Sequence, residues 1–343
     1  MQQEQNGLEQ KLNSLTESVR SICKNEQGIF EVLNQMDAQI KSLQTQIYAQ
    51  DFKLKNMKYE MADPRSNQEE IFQPIIKSQE ELIEKILAEG KSLARFGDGE
   101  FSIMENISRQ KFQHLDDKLA ERLKEVVASE DERILIGIAD NYGNLDKYTE
   151  QAATGIRIYM SEETRKIHEK YIKKDRVYYD AYVSRPYVMY RDKEHAFTRF
   201  QNIKRMWEKR NVIIIEGSQT RLGVGNDLLD NVASLGRILG PATSSFDRYD
   251  EIMEAAFKYA KDDTLFLIAM GPCAGVAAYD LMKAGYQALD IGHVDLEYEW
   301  YLSGQEQRGP VKNKYNNEFP GGHIVQEEQL PPEYFEQIIA DFS

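Results

Sequence analysis

Apolar residues recur at alternating spacings of four and three through the first sixty residues of the chain. Continuing this register assigns Glu26 and Gln50 to the two remaining seam positions, so that fourteen of sixteen seam positions are apolar. A sustained repeat of about 3.5 residues is typical of a left-handed coiled coil. The apolar seam consists of Leu8, Leu12, Leu15, Val19, Ile22, Ile29, Leu33, Met36, Ile40, Leu43, Ile47, Leu54, Met57 and Met61.

A lone helix would expose this seam to water, so the pattern predicts a homo-oligomer that assembles through residues 8–61. The seam mixes Leu, Ile, Val and Met, and Leu, Ile and Met occur at both heptad positions, which leaves the number of strands open. The alternative is one amphipathic helix folded back onto the rest of the chain. Pro64 disfavours helix at Asp63 and ends the segment. The predicted parts are a coiled coil at 1–62, a linker at 63–78 and a globular domain at 79–343.

Beyond residue 78 the pattern alternates between helix and strand periodicities. Ser78 and Glu81 form a capping box before a helix that Gly90 ends. The predicted strands are 93–96, 133–139, 176–183, 211–215, 237–239, 264–270 and 288–291. The other predicted helices are 115–128, 162–173, 193–209, 227–232, 249–260 and 274–284.

This alternation indicates an α/β fold with a mostly parallel sheet and helices on both faces. The run at 211–215 is apolar throughout, as expected of a central parallel strand covered on both sides. Ligands of such sheets bind beyond the carboxyl ends of the strands. Candidate chemistry is therefore expected in the segments that follow each strand.

Composition narrows the class of protein. The net charge of −14 argues against a general nucleic-acid-binding protein, although a local pocket can still be positive. No run approaches about 18 consecutive apolar residues, so no membrane span is expected. The first residues lack the basic region and apolar core of a signal peptide. Cys23 and Cys273 lie in no disulfide-type or zinc-type motif, and these features together predict a cytoplasmic protein.

Two carboxylates follow the first of these predicted strands, in the sequence Arg95-Phe-Gly-Asp-Gly-Glu100. In an extended loop, Asp98 and Glu100 can both reach one cation, and Gly97 permits tight backbone geometry. Hard oxygen ligands suit Mg²⁺ or Mn²⁺ held partly by substrate phosphates. The alternative is a polar Asp-Gly turn that binds nothing.

Two glycine-containing loops follow later strands. The loop at 216–227 leads into a predicted helix, where free N–H groups can bind an anion and Arg221 can pair with a phosphate. The loop at 270–275 places Gly271 at the start of another predicted helix. Neither is a Walker or GxGxxG sequence. For the first loop, the alternative to anion binding is a plain strand–helix connection. For Cys273, the alternative to a reactive thiol is a buried structural one.

A histidine and two carboxylates follow the last predicted strand. If this segment is extended, His293, Asp295 and Glu297 fall on one face and can supply a general base or a metal ligand. The alternative is the solvated start of an acidic helix. The segment 182–191 interleaves tyrosines with arginines, which can contact sugars and phosphates but are equally typical of a half-buried core.

Six separated motifs, taken together, resemble the bacterial GT-D-type glycosyltransferases, a family formerly described as a domain of unknown function. The motifs keep their order over roughly residues 80–305, and the coiled coil lies outside the resemblance. They are ARFGDGEF at 94–101, SRPY at 184–187, EGSQTRLGVGND at 216–227, RILGPATSSFDRYDEI at 237–252, GPCAG at 271–275 and LDIGHVDLEYEW at 289–300.

The resemblance implies a Rossmann-like α/β fold and a UDP-hexose donor, most often UDP-glucose, with Mn²⁺ as cofactor. It matches Asp98 and Glu100 to the family's acidic metal and nucleotide-sugar motif. The implied acceptor is a growing glycan on a bacterial surface glycoprotein or in a cell-surface polysaccharide. One departure is Cys273, where Thr or Ser is expected. The residues predicted to bind the nucleotide sugar are Arg95, Gly97, Gly217, Ser218, Arg221, Gly225, Asn226, Gly271, Cys273 and Ala274.

The predicted function is metal-assisted transfer of glucose or galactose from a UDP-sugar to a glycan acceptor. Asp295, Glu297 and His293 are the candidates for the catalytic base. Two other functions stay open: a metal-dependent phosphohydrolase or nucleotidyltransferase, and a coiled-coil scaffold that only binds nucleotide sugar. The sequence does not select the hexose, the linkage, the anomeric outcome or the acceptor.

Overall fold

The computed structural model describes residues 2–62, 71–108, 112–319, 321–323, 325 and 330–343, with side chains from residue 13 onward except at 26 and 27. The chain divides into two compact units, residues 1–57 and 58–343. Residues 63–70 of the predicted linker, and the side chains of Leu8, Leu12 and Glu26, lie outside this description. Within it, no helix combines the length and apolarity needed to cross a bilayer.

The first unit is formed by one continuous helix, α1, which runs over Gln2–Glu60. Its described apolar seam residues, from Leu15 to Met57, are 43% to 68% exposed. Positions outside the seam carry ion pairs along the helix, such as Lys41 with Asp37 at 2.7 Å. The predicted helix is confirmed, and its assembly with other copies stays a prediction.

The second unit is built on one sheet, in which nine described strands are all parallel. The order across the sheet is β1-β4-β3-β2-β8-β7-β5-β6-β9. The strands are β1 (Ile75–Lys77), β2 (Ser92–Phe96), β3 (Ile134–Ile138), β4 (Val177–Asp180), β5 (Asn211–Gly217), β6 (Ser234–Gly240), β7 (Thr264–Ala269), β8 (Gln287–Asp290) and β9 (Ile338–Asp341).

Helices cover both faces of the sheet. In β5, Ile213 and Ile215 join one hydrophobic core, whereas Val212 and Ile214 join the other. This alternation confirms the predicted α/β fold with helices on both faces. The helices are α2 (Gln79–Glu89), α3 (Asp98–Met104), α4 (Asp117–Ala128), α5 (Glu150–Tyr159), α6 (Glu162–Tyr171), α7 (Ala196–Lys204), α8 (Tyr249–Tyr259), α9 (Ala274–Lys283), α10 (Val294–Leu302) and α11 (Pro332–Glu336).

Local sequence explains where several elements begin and end. The capping box at Ser78 and Glu81 opens α2, and Gly90 ends it at φ +64°, as predicted. Strand β1 lies at the sheet edge, inside the segment that the sequence assigns to a linker. Strand β4 is shorter than predicted, because Asp180 accepts the Tyr182 N–H at 2.9 Å and starts a 3₁₀ turn.

The helix predicted at 227–232 is wrong, because this segment consists of successive turns. Its backbone carbonyls are taken by side chains from α7 and the turn that follows it. Lys204 Nζ donates to Asp227 O at 2.7 Å, and Trp207 Nε1 donates to Leu228 O at 3.1 Å. The loop at 216–227 therefore does not lead into a helix and offers no helix N-terminus to an anion.

Candidate functional site

A cavity of about 1030 Å³ opens at the carboxyl ends of the strands. Segments that follow β2, β3, β4, β7 and β8 line it, together with described parts of 305–319 and one face of α5. Strand β2 lies between β3 and β8, where the strand order reverses along the chain. This is the edge and the position at which open α/β sheets bind their ligands.

The acidic edge of the cavity is Asp98 and Glu100, at the start of α3. The expected extended loop is wrong, because both residues are helical. Glu100 Oε2 accepts the Gly97 N–H at 2.7 Å, which satisfies one free donor of the first turn. Burial, reinforced by the nearby charges of Asp290 and Asp98, raises the pKa of the Glu100 carboxyl to about 7.

Arg95 ties the ends of three strands together beneath the cavity floor. Its Nη2 donates to Asp290 Oδ1 at 2.5 Å, and its Nε donates to Asp290 O at 2.8 Å. Its Nη1 donates to Ser184 Oγ at 2.7 Å, just past β4. Gly292 allows this approach, since an added Cβ would meet Arg95 Nη2 at 2.1 Å. Arg95 lines the cavity, but its donors already serve the protein.

A second part of the lining is a cationic wall, formed by Arg185, Arg308 and the carboxylate between them, Glu318. Glu318 accepts from Arg185 at 2.8 Å and pairs with Arg308 at 2.6 Å. Burial alone would raise the pKa of Glu318, but the neighbouring cations, chiefly Arg185, hold that pKa well below its usual range. Arg185 Nη1 is buried and has no hydrogen-bond partner among the described residues.

Helix α10 carries the three residues proposed as a base, and their expected extended arrangement is wrong. His293 precedes the helix and lies between Arg185 and Glu318, with Nδ1 3.4 Å from Arg185 Nη2 and Nε2 3.5 Å from Glu318 Oε1. Burial and the positive charge of Arg185 lower the pKa of His293 to about 3, so the imidazole is neutral. The helix start is acidic, as the alternative interpretation had it, but it is buried rather than solvated.

Asp295 and Glu297 of α10 both accept hydrogen bonds from the protein, although Glu297 Oε1 is buried and has no partner among the described residues. Asp295 Oδ1 accepts from the Gly223 N–H and from Asn226 Nδ2, each at 2.9 Å, while Oδ2 accepts from Lys314 at 2.7 Å. Glu297 Oε2 accepts the backbone N–H groups of residues 187 and 188 at 3.0 and 2.8 Å. Asp295 lines the cavity and Glu297 does not.

The loop at 216–227 is held from below by a buried ion pair. Glu216 Oε1 accepts from Arg237 Nη1 at 2.5 Å, and both side chains are at most 2% exposed. Glu216 Oε2 accepts the Leu222 N–H at 2.8 Å. Thr220 is the residue of this loop that lines the cavity. The described lining does not include Gly217, Ser218, Arg221, Gly225 or Asn226.

The loop after β7 contributes Gly271 and Pro272 to the cavity. Gly271 has φ +71°, and an added Cβ would meet the Phe112 ring at 2.5 Å, so glycine is required on both counts. Cys273 is fully buried, its Sγ donates to Met270 O at 3.2 Å, and burial raises its pKa. Ala274 begins α9 and is buried, so these two predicted contacts lie behind the cavity surface.

Three parts of the site carried no clear signal in the sequence. One face of α5 forms an uncharged wall, and the lining residues Phe112 and Tyr315 pair edge to face at 5.3 Å. The polar segment 305–319 supplies the third part, which includes Glu318. Among the described residues, no group of three or more His, Cys, Asp or Glu side chains is arranged to hold a metal ion.

Comparison with known proteins matches the chain to one family. A family model described as "Glycosyltransferase GT-D fold" matches residues 93–319. A solved structure described as a new glycosyltransferase from Streptococcus sanguinis superposes with a TM-score of 0.73 at 31% identity, over 79% of this chain and 100% of the other. A second, described as the domain of unknown function 1792 with a distinct glycosyltransferase fold, gives 0.73 at 33% identity, over 79% and 96%.

Two curated relatives agree. The probable glycosyl transferase Gly of Streptococcus gordonii is 32% identical over 259 residues, which are 75% of this chain and 37% of the relative. Glycosyltransferase GlyD of Streptococcus pneumoniae is 34% identical over 244 residues, 71% and 30%. The chain thus spans about a third of the length of these relatives. From its sheet order, its cavity and the family match over 93–319, the chain belongs to the glycosyltransferases of the GT-D fold.

Proposed function

We propose that this chain transfers a hexose, glucose or galactose, from a UDP-sugar to a glycan acceptor with the assistance of Mn²⁺ or Mg²⁺. The observation that most supports this function is a single cavity lined by an acidic edge, a cationic wall and an uncharged wall. Its volume of about 1030 Å³ is large for a small-molecule pocket and leaves room for two substrates. Family membership supports sugar transfer over phosphate hydrolysis or scaffolding.

Arg185 is our candidate for the contact to the donor diphosphate. A buried guanidinium nitrogen without an acceptor is costly, and a phosphate oxygen would satisfy it. Glu318 and His293 fix the other edge of the guanidinium, so little side-chain entropy is lost on binding. In this role Arg185 offsets negative charge that develops on the departing nucleoside diphosphate.

Asp98 and Glu100 would hold the divalent cation. The donor set fits, because burial next to Asp98 and Asp290 disfavours the charge on Glu100 and a cation would offset it. A site with two protein carboxylates also suits a cation that takes its other ligands from phosphates and water. When bound, the ion supplies additional neutralisation of the diphosphate charge.

The acceptor is proposed to lie along α5. The residues of α5 that line the cavity, among them Ala152, Gly155, Ile158 and Tyr159, carry no charge. Apolar and aromatic side chains suit the CH faces of a neutral sugar better than a phosphate. His293 and Asp295 reach the cavity and stay the candidates for the acceptor base. Glu297 is assigned instead to positioning the backbone at 187–188.

Donor binding is tested first by thermal unfolding with UDP, GDP, CMP and UDP-hexoses, with and without Mn²⁺. We expect UDP-sugars to stabilise the protein only with the cation, by about 2.7 kcal/mol at a hundredfold excess over the dissociation constant. The variant Asp98→Asn/Glu100→Gln should lose this stabilisation. Its glutamine can still accept the Gly97 N–H, so α3 should remain folded.

The matched control is Asp117→Asn/Glu121→Gln, which removes the same charge from the exposed side of α4. It should respond to UDP-sugars as the unchanged protein does. A folded protein that responds to no nucleotide under any condition would contradict the proposed donor. Release of inorganic phosphate without transfer would favour a phosphohydrolase.

Acceptor placement is tested at Gly155, a helix-interior glycine whose added Cβ would meet nothing within 4 Å. Gly155→Ala should stabilise the fold by about 0.5–1 kcal/mol, because glycine lowers helix propensity. Gly155→Leu should project into the cavity and raise the KM for acceptor severalfold. The KM for the donor and the slow hydrolysis of the donor in water should stay unchanged. An unaltered KM for the acceptor in the leucine variant would show that the acceptor does not bind along α5.

A further inference from the structure

We propose that α1 pairs with α1 of a second copy as a two-stranded antiparallel coiled coil, in the register that sets residue 26 of one copy opposite residue 50 of the other. The proposal concerns residues 19–57 and does not depend on the proposed activity. It fixes orientation and alignment, which the apolar repeat alone leaves open.

The surface that needs a partner is continuous and apolar. The described apolar side chains of the seam, from Val19 to Met57, are 43% to 68% exposed. A helix with an apolar stripe of this length is stable in water only when the stripe is covered. The repeat period of about 3.5 residues matches the geometry of another helix with the same repeat. A second copy of α1 has an apolar repeat of the same length and can therefore cover this stripe.

The two polar seam positions select the orientation. The heptad assignment makes residue 26 an a position and residue 50 a d position, because each follows the alternating spacing. A parallel pair aligns each residue with itself, so Glu26 would face Glu26 of the second copy within the apolar seam. Two like charges in one desolvated layer are strongly unfavourable. An antiparallel pair instead sets a positions against d positions.

In the proposed register the paired residue numbers sum to 76, so that Glu26 meets Gln50 in two symmetric layers. A glutamine amide can donate to a carboxylate, which satisfies both buried polar groups. A shift by one heptad would set each polar residue against an apolar one, leaving both unsatisfied. The remaining layers are apolar: Val19 with Met57, Ile22 with Leu54, Ile29 with Ile47, Leu33 with Leu43 and Met36 with Ile40.

Flanking charges are compatible with this register. Antiparallel pairing sets e positions against e positions and g against g, which brings Cys23 near Asp51 and Asn25 near Lys53. This register brings like charges together where Asp37 of one copy faces Asp37 of the other at the two-fold axis. Lys41 already pairs with Asp37 at 2.7 Å along the helix, which offsets this repulsion.

The natural cysteines allow a direct test in the full chain. Cys23 is exposed on α1, whereas Cys273 is buried, so a thiol-reactive spin label should attach at Cys23. In the proposed register Cys23 aligns with residue 53 of the second copy, thirty residues from its own equivalent. At about 1.5 Å per residue, the two labels should lie about 45 Å apart by double electron–electron resonance. Light scattering should give the mass of two chains.

Other outcomes overturn the proposal. A label separation within about 20 Å would mean parallel helices, whose axes lie about 8–10 Å apart. The mass of one chain, with no dipolar coupling between labels, would mean that α1 does not pair with itself. Cys23→Ser, labelled in the same way, is the control for any reaction at Cys273.

A charge exchange tests the register independently of the labels. Gln50→Glu should raise the dimer dissociation constant about tenfold or more, because a carboxylate then faces Glu26 in both layers. Adding Glu26→Lys should restore the dimer, since each layer then pairs opposite charges. In a parallel coil the same double variant aligns lysine with lysine and glutamate with glutamate. Failure of the double variant to recover would therefore reject the antiparallel register.

Discussion

Replacing Arg185 with glutamine is expected to lower the turnover number about 100-fold to 1000-fold, the usual cost of removing one donor that stabilises developing charge. The reason is geometric: Arg185 lines the cavity, its buried Nη1 has no hydrogen-bond partner among the described residues, and Glu318 and His293 hold its Nη2. Because the diphosphate gains negative charge as the sugar leaves, kcat should fall more than the KM for the UDP-sugar rises. Steady-state kinetics with varied donor measure this split.

Two further variants separate catalysis from folding. Arg185→Lys keeps the charge but not the planar fork, and it should recover part of the lost turnover. Arg122→Gln removes a half-buried arginine that pairs with Asp280 at 2.5 Å, away from the cavity lining, and should leave kcat unchanged. If Arg185→Gln retains turnover within threefold of the unchanged protein, Arg185 does not contact the reacting diphosphate.

The largest effect on stability is expected at the ion pair beneath the loop at 216–227. Arg237→Met should lower the free energy of unfolding by about 3–5 kcal/mol, because it leaves the buried Glu216 carboxylate without its cation. Arg237 also donates to Leu222 O at 2.9 Å and to Gln337 Oε1 at 2.8 Å, so the loop and the chain before β9 lose a common anchor. Chemical denaturation followed by circular dichroism measures the change.

This loss should depend on pH in a defined direction. Burial already raises the pKa of Glu216 even though Arg237 lowers it, and without Arg237 that pKa rises further. The folded variant then binds a proton that the unfolded chain, with an ordinary glutamate, releases above about pH 4.3. Stability of Arg237→Met relative to the unchanged protein should therefore increase as the pH falls from 8 towards 5.

The control for this effect is Arg133→Met, which breaks an exposed pair with Asp131. A surface pair contributes about 0–1 kcal/mol, so this variant should unfold close to the unchanged protein. A loss at Arg237→Met no larger than that of Arg133→Met would show that the buried pair contributes little. The double variant Glu216→Leu/Arg237→Met should recover stability, since no buried charge is left alone.

Much of the sheet could be predicted from the sequence, because buried parallel strands are apolar throughout. The runs in β3, β5 and β7 were found almost to the residue. Helix α10 could not be predicted in this way, because two of its buried residues are carboxylates. Its buried Asp295 and Glu297 alternate with apolar residues and imitate a strand, although each carboxylate accepts hydrogen bonds from partners distant in sequence. A pattern of polarity does not show that a polar residue is buried and paired.

The site was predicted only as far as local rules reach. The rule that ligands lie beyond strand ends found Asp98, Glu100, His293 and Gly271, all of which line the cavity. It did not find the pairing of Arg185 with Glu318, which are 133 residues apart. It also overvalued glycines at 217 and 225, because the helix expected after them does not form. Long-range contacts of this kind leave no periodic signal in a single sequence.

The described lining of the cavity lies entirely in the second unit, and α1 supplies none of it. Such a unit can act as an evolutionary module. Recombination at its border can replace the neighbouring segments without changing the residues that line the cavity. The two streptococcal relatives, in which the matching region makes up about a third of the polypeptide, fit this view. Segments outside the matched region can then differ among relatives, while that region keeps 32% to 34% identity.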